Sequence, residues 1–287
     1  MVFWECVTPQ QSSVRYLLSM REKRNGTQRQ TALVTGGSGG IGLELAKHLA
    51  RAGFDLVLVA RKRDTLEAAA GQLEGKFGIK AHVFAADLRL SDAPQAIFDF
   101  LRNENIDIEV LVNNAGFGLG GEFADIEIQR ELDMIQVNIA ALTHLTKLFI
   151  PPMIKRKSGR VLNLASTAAF QPGPLMAVYY ATKAYVLSFS EALSEELRNT
   201  GVTVTALCPG PTQTDFAESA QMTNSRLFNA FGVADAADVA KYGYDAMMQG
   251  KRMAIPGIKN KIIAQANRLA PRALSAKLAR LAQESRN

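Results

Sequence analysis

Cysteine is scarce in this chain of 287 residues: Cys6 and Cys208 lie far apart and form neither a disulfide framework nor a metal-ligand spacing. Histidine is as sparse. His48, His82 and His144 are scattered with no cysteine beside them, so no metal site is expected. No stretch reaches the roughly 18 consecutive apolar residues of a membrane span. The opening is not built as a signal peptide, because Glu5 interrupts it and the positive charges follow its apolar residues. These absences predict a reducing, cytoplasmic setting. The length is ample for a substantial apolar core.

What the chain does have is unevenly distributed. Its net charge is +6, but residues 1–30 carry five Lys/Arg against two acids, and residues 251–287 carry nine against one. The stretch between them holds 19 basic and 24 acidic residues, a net of −5. A mildly acidic core with basic ends does not suit nucleic-acid binding.

Residues 1–30 lack apolar periodicity and read as a flexible arm, within which Met20 is an alternative start. From Thr31 short apolar runs alternate with amphipathic stretches. The runs are Ala32–Thr35, Asp55–Ala60, Ala81–Ala85, Ile108–Val112, Arg160–Ala165 and Val202–Leu207, with Arg252–Ile255 a weaker seventh. Helical stretches intervene at Gly42–Ala52, Asp64–Phe77, Ala93–Asn103, Leu132–Phe149 and Val178–Asn199. This pattern predicts a single α/β domain over 31–255, a doubly wound parallel sheet of about seven strands covered on both faces. Residues 256–287 follow as a basic amphipathic tail, in which Leu274, Leu278 and Leu281 make an i, i+4, i+7 stripe among Lys259, Lys261, Arg268, Arg272, Lys277 and Arg280. Such a helix suits an anionic membrane surface, the core, the pocket or a partner subunit, and the pattern alone leaves these open.

Three local features carry chemistry. The first run leads into Thr35-Gly36-Gly37-Ser38-Gly39-Gly40-Ile41-Gly42 and then a helix. Glycines there let the backbone approach a pyrophosphate, and the helix start offers free N–H groups. The second run ends in Arg61-Lys62-Arg63, where an acid would favour an unphosphorylated ribose. Arg61 suits a 2′-phosphate instead, which favours NADP(H) over NAD(H). Third, Tyr179-Tyr180-Ala181-Thr182-Lys183 puts a phenol and an ammonium four residues apart on one helix face. A lysine charge beside a tyrosine lowers the phenol pKa and suits proton exchange with an alcohol. Tyr180 lies three residues from the same lysine, so spacing does not separate the two tyrosines, and a plain solvated helix face has the same pattern.

In this order and spacing the motifs resemble the short-chain dehydrogenase/reductase family over roughly 31–255. The glycine loop matches its cofactor loop, and Asn113-Asn114-Ala115-Gly116 matches its second signature. Asn138 and Ser166 fall at the family's catalytic positions, Ser166 standing 13 residues before Tyr179. Ala165-Ser166-Thr167 departs from the common double serine, and Thr167 offers a second hydroxyl. The resemblance implies a Rossmann fold and a homodimer or homotetramer, with the helices around 132–149 and 178–199 as interface. It assigns Tyr179 as proton donor or acceptor, Lys183 as its partner and a ribose ligand, Ser166 as donor to the substrate oxygen, and Asn138 as holder of a water linked to Lys183. The cofactor is implied to lie on Gly36, Ser38, Gly39, Gly40, Ile41, Gly42, Arg61 and Lys62. Asp87 (at the adenine), Leu88, Asn114, Ala115, Tyr179, Lys183, Pro209, Gly210, Thr212 and Thr214 complete its site.

The expected activity is hydride transfer between NADP(H) and a carbonyl or secondary alcohol. Phe117, Phe170, Met176, Phe216, Met222, Phe228 and Phe231 suggest an apolar pocket for a lipophilic ketone or aldehyde. Two other readings stand beside this one. One is a non-catalytic NADP(H)-binding redox sensor; the other is a membrane-associated reductase of acyl-chain or steroid-like ketones.

Overall fold

The computed structural model describes residues 29–214, 216, 233–269 and 271–283. Met222, Phe228, Phe231 and nearly all of the N-terminal arm lie outside these. Seven strands form the sheet: β1 (Thr31–Thr35), β2 (Asp55–Ala60), β3 (Ala81–Ala85), β4 (Ile108–Asn113), β5 (Gly159–Leu164), β6 (Val202–Leu207) and β7 (Met253–Ala254). Their spatial order is β3-β2-β1-β4-β5-β6-β7, and every pairing is parallel. Nine α-helices are described: α1 (Gly40–Arg51), α2 (Arg63–Phe77), α3 (Ala93–Asn103), α4 (Ile128–Ile135), α5 (Leu142–Arg156), α6 (Ala177–Glu196), α7 (Ala236–Met248), α8 (Ile258–Leu269) and α9 (Arg272–Gln283).

Successive strand residues point to opposite sheet faces, so one strand feeds two cores. Ala32, Val34, Leu56, Leu58 and Val110 pack with Leu45 and Leu49 of α1, Leu66 of α2 and Met247 of α7. On the other face Leu33, Val57, Val59, Leu111 and Val161 meet Ile97 of α3 and Leu145 and Phe149 of α5. This two-sided burial explains why the strands read as continuous apolar runs rather than alternating ones. Arg29 and Gln30, read as the end of the arm, already join the fold. The Gln30 carbonyl accepts from Asp55 N, and the Arg29 guanidinium donates to Gly78 O at 2.6 Å.

Two departures lie in the long helical run. A π turn, Gln136–Ala141, separates α4 from α5. Helix α5 then continues through Pro151 and Pro152, where the sequence predicts an end at Phe149. Pro151 faces solvent while Ile150 and Met153 are buried, so apolar packing outweighs the lost amide bonds. By length and composition the run Ile128–Arg156 could cross a bilayer, yet Leu145, Phe149 and Met153 are core residues of the sheet.

Candidate active site

A cleft of about 920 Å³ opens over the carboxyl ends of the strands. It spans the gap between β1 and β4, where the strand order reverses and a parallel sheet leaves a crevice. The segments that leave β1, β2, β3, β4, β5 and β6 supply its walls.

The loop after β1 turns at Gly36, whose φ of +66° favours glycine. Gly42 permits a close approach: a Cβ there would stand 2.2 Å from Gly36 O and 2.4 Å from Asn114 Nδ2. Asn114 Nδ2 donates to the Thr35 and Gly36 carbonyls at 3.0 and 3.2 Å. Thr35 Oγ1 accepts from the Asn114 and Ala115 amides, both at 3.0 Å. Asn114, expected beside the cofactor, therefore also clamps the loop that starts α1. That helix begins at Gly39 without a side-chain cap and with no acid in its first turn. Its first N–H groups and positive dipole end thus have no capping side chain or first-turn carboxylate to compete with an anion.

Arg61 and Lys62 are exposed and line the cleft after β2. Asp87 lines it after β3, but its carboxylate accepts from Arg89 Nε at 3.0 and 2.9 Å and from the Arg89 amide at 3.0 Å. Those bonds hold its pKa below the usual range, with a smaller contribution from the Arg61 charge. Arg89 is a wall residue that the sequence reading missed; its place two residues after Asp87 was the available signal. Across the cleft, Thr214 packs near Gly40, and Thr212 Oγ1 donates to Gly210 O at 2.9 Å.

At the deep end Ser166, Tyr179 and Lys183 come together. Ser166 leaves β5 in extended backbone and its Oγ accepts from Ala168 N, capping a short 3-10 turn. Ser166 Oγ also donates to Pro209 O at 3.4 Å, and Ser166 is the side chain that partly offsets the effect of burial on the Tyr179 phenol. Tyr179, Tyr180 and Lys183 are buried on α6, and Lys183 Nζ donates to Leu164 O at 2.7 Å. The Lys183 ammonium lies 5.7 Å from the Tyr179 ring centre, and the Phe216 ring lies 5.2 Å from it.

Residues 30–225 match the short chain dehydrogenase family model. The chain belongs to this family. An uncharacterized oxidoreductase of Staphylococcus epidermidis is 34% identical over 213 residues, covering 73% of this chain and 89% of that one. A very-long-chain 3-oxoacyl-CoA reductase of Laccaria bicolor is 36% identical over 60% of this chain, a match spanning 52% of that protein. The solved short-chain dehydrogenase of Sphingobium yanoikuyae in complex with NADPH superposes with a TM-score of 0.75 at 30% identity, covering 83% of this chain and 94% of that one. A bulky-bulky ketone specific alcohol dehydrogenase of Comamonas testosteroni gives 0.72 at 28% identity, covering 84% and 93%.

Two observations bear on the expected roles of Lys183 and Asn138 in this short-chain dehydrogenase. The Tyr179 phenol is raised rather than lowered in pKa. Burial pushes the phenol well above its usual value, and the Ser166 side chain only offsets part of that. Burial also lowers the Lys183 ammonium to about 8. Both groups are desolvated together, and each favours its neutral form. Asn138 stands in the π turn outside the cleft lining, and its side chain is already engaged. Its Nδ2 donates to Phe117 O at 2.9 Å and Thr182 Oγ1 at 3.1 Å, while Oδ1 accepts from Phe117 N at 3.1 Å. With both amide protons engaged, it ties the segment after β4 to α6.

The two tyrosines diverge despite being adjacent. Burial pushes the Tyr180 hydroxyl up in pKa, and the side chains that partly offset this are Gln283 and Gln171 rather than Ser166. Phe117, Met176 and Phe216 line the cleft as expected; Phe170 does not, and packs with the buried cluster around Val186 and Ile255 instead. The tail supplies wall residues, the pocket being one of the placements the sequence left open. Asn260, Ile263, Asn267, Leu278 and Ala279 roof the cleft, and Asn267 Nδ2 donates to Gln171 Oε1 at 2.5 Å.

Proposed function

We propose that this protein is an NADP(H)-dependent reductase of lipophilic ketones or aldehydes. The carrying observation is that Ser166, Tyr179 and Lys183 line the same cleft that the uncapped helix start opens onto. Three features fit the dinucleotide. The glycine loop and the first N–H groups of α1 suit the pyrophosphate. Arg61, with Lys62 beside it, suits a ribose 2′-phosphate. Thr212, Thr214 and Lys183 stand where the nicotinamide half would be held. The Sphingobium yanoikuyae relative, solved with NADPH, supports the phosphorylated form.

When bound, the nicotinamide supplies the hydride for reduction. Tyr179, kept protonated by burial, donates its proton to the substrate oxygen. Ser166 donates a second hydrogen bond to that oxygen and stabilises the charge that develops on it. A protonated phenol is the form that carbonyl reduction consumes. Phe117, Met176, Phe216 and Ile263 give the adjoining wall its apolar character. The named ketone and acyl-chain relatives are consistent with a bulky or elongated substrate.

A carbonyl panel followed by NADPH consumption tests this reading. Turnover should fall by about 10²-fold or more in Tyr179→Phe. It should survive in Tyr180→Phe, whose hydroxyl faces the roof. A wild type inactive on the whole panel, or a Tyr179→Phe of unchanged rate, defeats the proposal.

A further inference from the structure

Helix α9 sits with its apolar stripe outward. Ser275, Ala279 and Gln283 are its buried residues, and Ser275 Oγ finds no hydrogen-bond partner among the described residues. Leu274, Leu278 and Leu281 are exposed. Helix α8 is arranged alike: Ala264 is buried and Ile263 lines the cleft, whereas Ile258 and Ile262 are exposed. The five outward side chains are between 49% (Leu274) and 76% (Ile258) exposed, an unusual density of large apolar groups on two short helices. Among them stand the exposed lysines Lys259, Lys261 and Lys277.

We propose that the outer face of α8 and α9 docks on an anionic lipid bilayer. Charge selects this occupant. Lys259, Lys261 and Lys277 are exposed on these two helices and residues 256–283 contain no acid, so two copies meeting through this face would repel, while acidic headgroups would be drawn to it. The row of Ile and Leu supplies the shallow apolar insertion that lysines alone would not. The inner faces of these helices roof the cleft, with Leu278 both cleft-lining and exposed. Docking therefore sets the cleft mouth on the membrane, where a lipophilic carbonyl partitions. The docking itself does not depend on the reductase reading.

Co-sedimentation of the full chain with phosphatidylglycerol–phosphatidylcholine vesicles tests the proposal. Binding should exceed that to pure phosphatidylcholine and weaken with added salt. Lys261→Gln and Lys277→Gln should each reduce it by about five-fold, from roughly 1 kcal/mol per surface lysine. The double variant Leu274→Glu/Leu281→Glu should reduce it by at least about ten-fold while the chain still melts cooperatively, because about half of each side chain is already exposed. Absence of vesicle binding by the intact chain overturns the proposal, as does equal binding to neutral vesicles. If light scattering shows the double variant dissociating an oligomer while vesicle binding persists, the face is a contact between copies and the proposal is also overturned.

Discussion

Lys183 is the residue where function and stability oppose each other most directly. Its ammonium is buried, its partner in the fold is one carbonyl, and its pKa falls from 10.5 to about 8 through desolvation. A lysine that is harder to protonate when folded destabilises the native state below about pH 8, and the penalty is relieved as pH rises from 8 towards 10.5. At roughly 1.4 kcal/mol per unit, and allowing for the lost hydrogen bond, Lys183→Met should gain about 1–3 kcal/mol at pH 7. That is a rise of about 2–8 °C in Tm, shrinking towards pH 10, with carbonyl reduction abolished. Thermal melts at pH 7 and pH 10 check it; a variant that melts lower at pH 7 contradicts the burial argument. Beneath this site Asn113 Nδ2 donates to Thr146 Oγ1 and Asn163 Oδ1, and Asn163 Nδ2 donates to Ser190 Oγ, all at 2.9 Å. That chain binds β4 and β5 to α5 and to α6, the helix that carries Lys183. Asn163→Leu should therefore cost about 2–4 kcal/mol, read by chemical denaturation, since it strands buried partners.

Elements were legible where one physical signal dominated. Asp55–Ala60, Ala81–Ala85 and Val202–Leu207 have the same bounds in sequence and structure, because each is a short run rich in apolar, β-branched or aromatic residues set between helical stretches. The end of α5 was not legible: proline rules are local, while the burial of Met153 is tertiary. The π turn at Asn138 was also invisible, since nothing in Gln136–Ala141 marks a widened turn. The loop from β1 to α1 was the most readable, and its glycines separate into two tests. A Cβ at Gly39 meets nothing within 4 Å and its φ of −169° suits any residue. Gly39→Ala should leave the melting temperature unchanged but project into the cleft and cut stabilisation by NADPH. At Gly42 the Cβ would collide with Gly36 O, so Gly42→Ala should lower the melting temperature itself, by about 1–3 kcal/mol of overpacking. Equal melting behaviour in the two variants would refute this division.

At the scale of the molecule, the cofactor half of the cleft was readable from the chain and its roof was not. Glycine loop, Arg61 and Tyr179 each carry a local signature, whereas Asn260, Asn267 and Arg280 become wall or brace residues only once α8 and α9 fold back over the sheet. Among the described residues, three polar or close contacts join the packing of Ala264 in tying that roof down. Asn260 packs on Gly210, where a Cβ would stand 2.8 Å from its Oδ1. Asn267 bonds Gln171, and Arg280 pairs with Glu122 at 2.7 Å. The last pair is exposed and contributes about 0–1 kcal/mol, so the roof is held less by its own contacts than by the segments beneath it. A ligand at a hundred times its Kd stabilises the fold by about 2.7 kcal/mol, and part of that should reach residues tied to the segments it orders. NADPH should therefore slow amide hydrogen exchange across 258–283 as well as in the glycine loop, and do so more than NADH at equal concentration. Protection confined to the glycine loop and the Arg61 turn would show that the roof moves independently of the cofactor site.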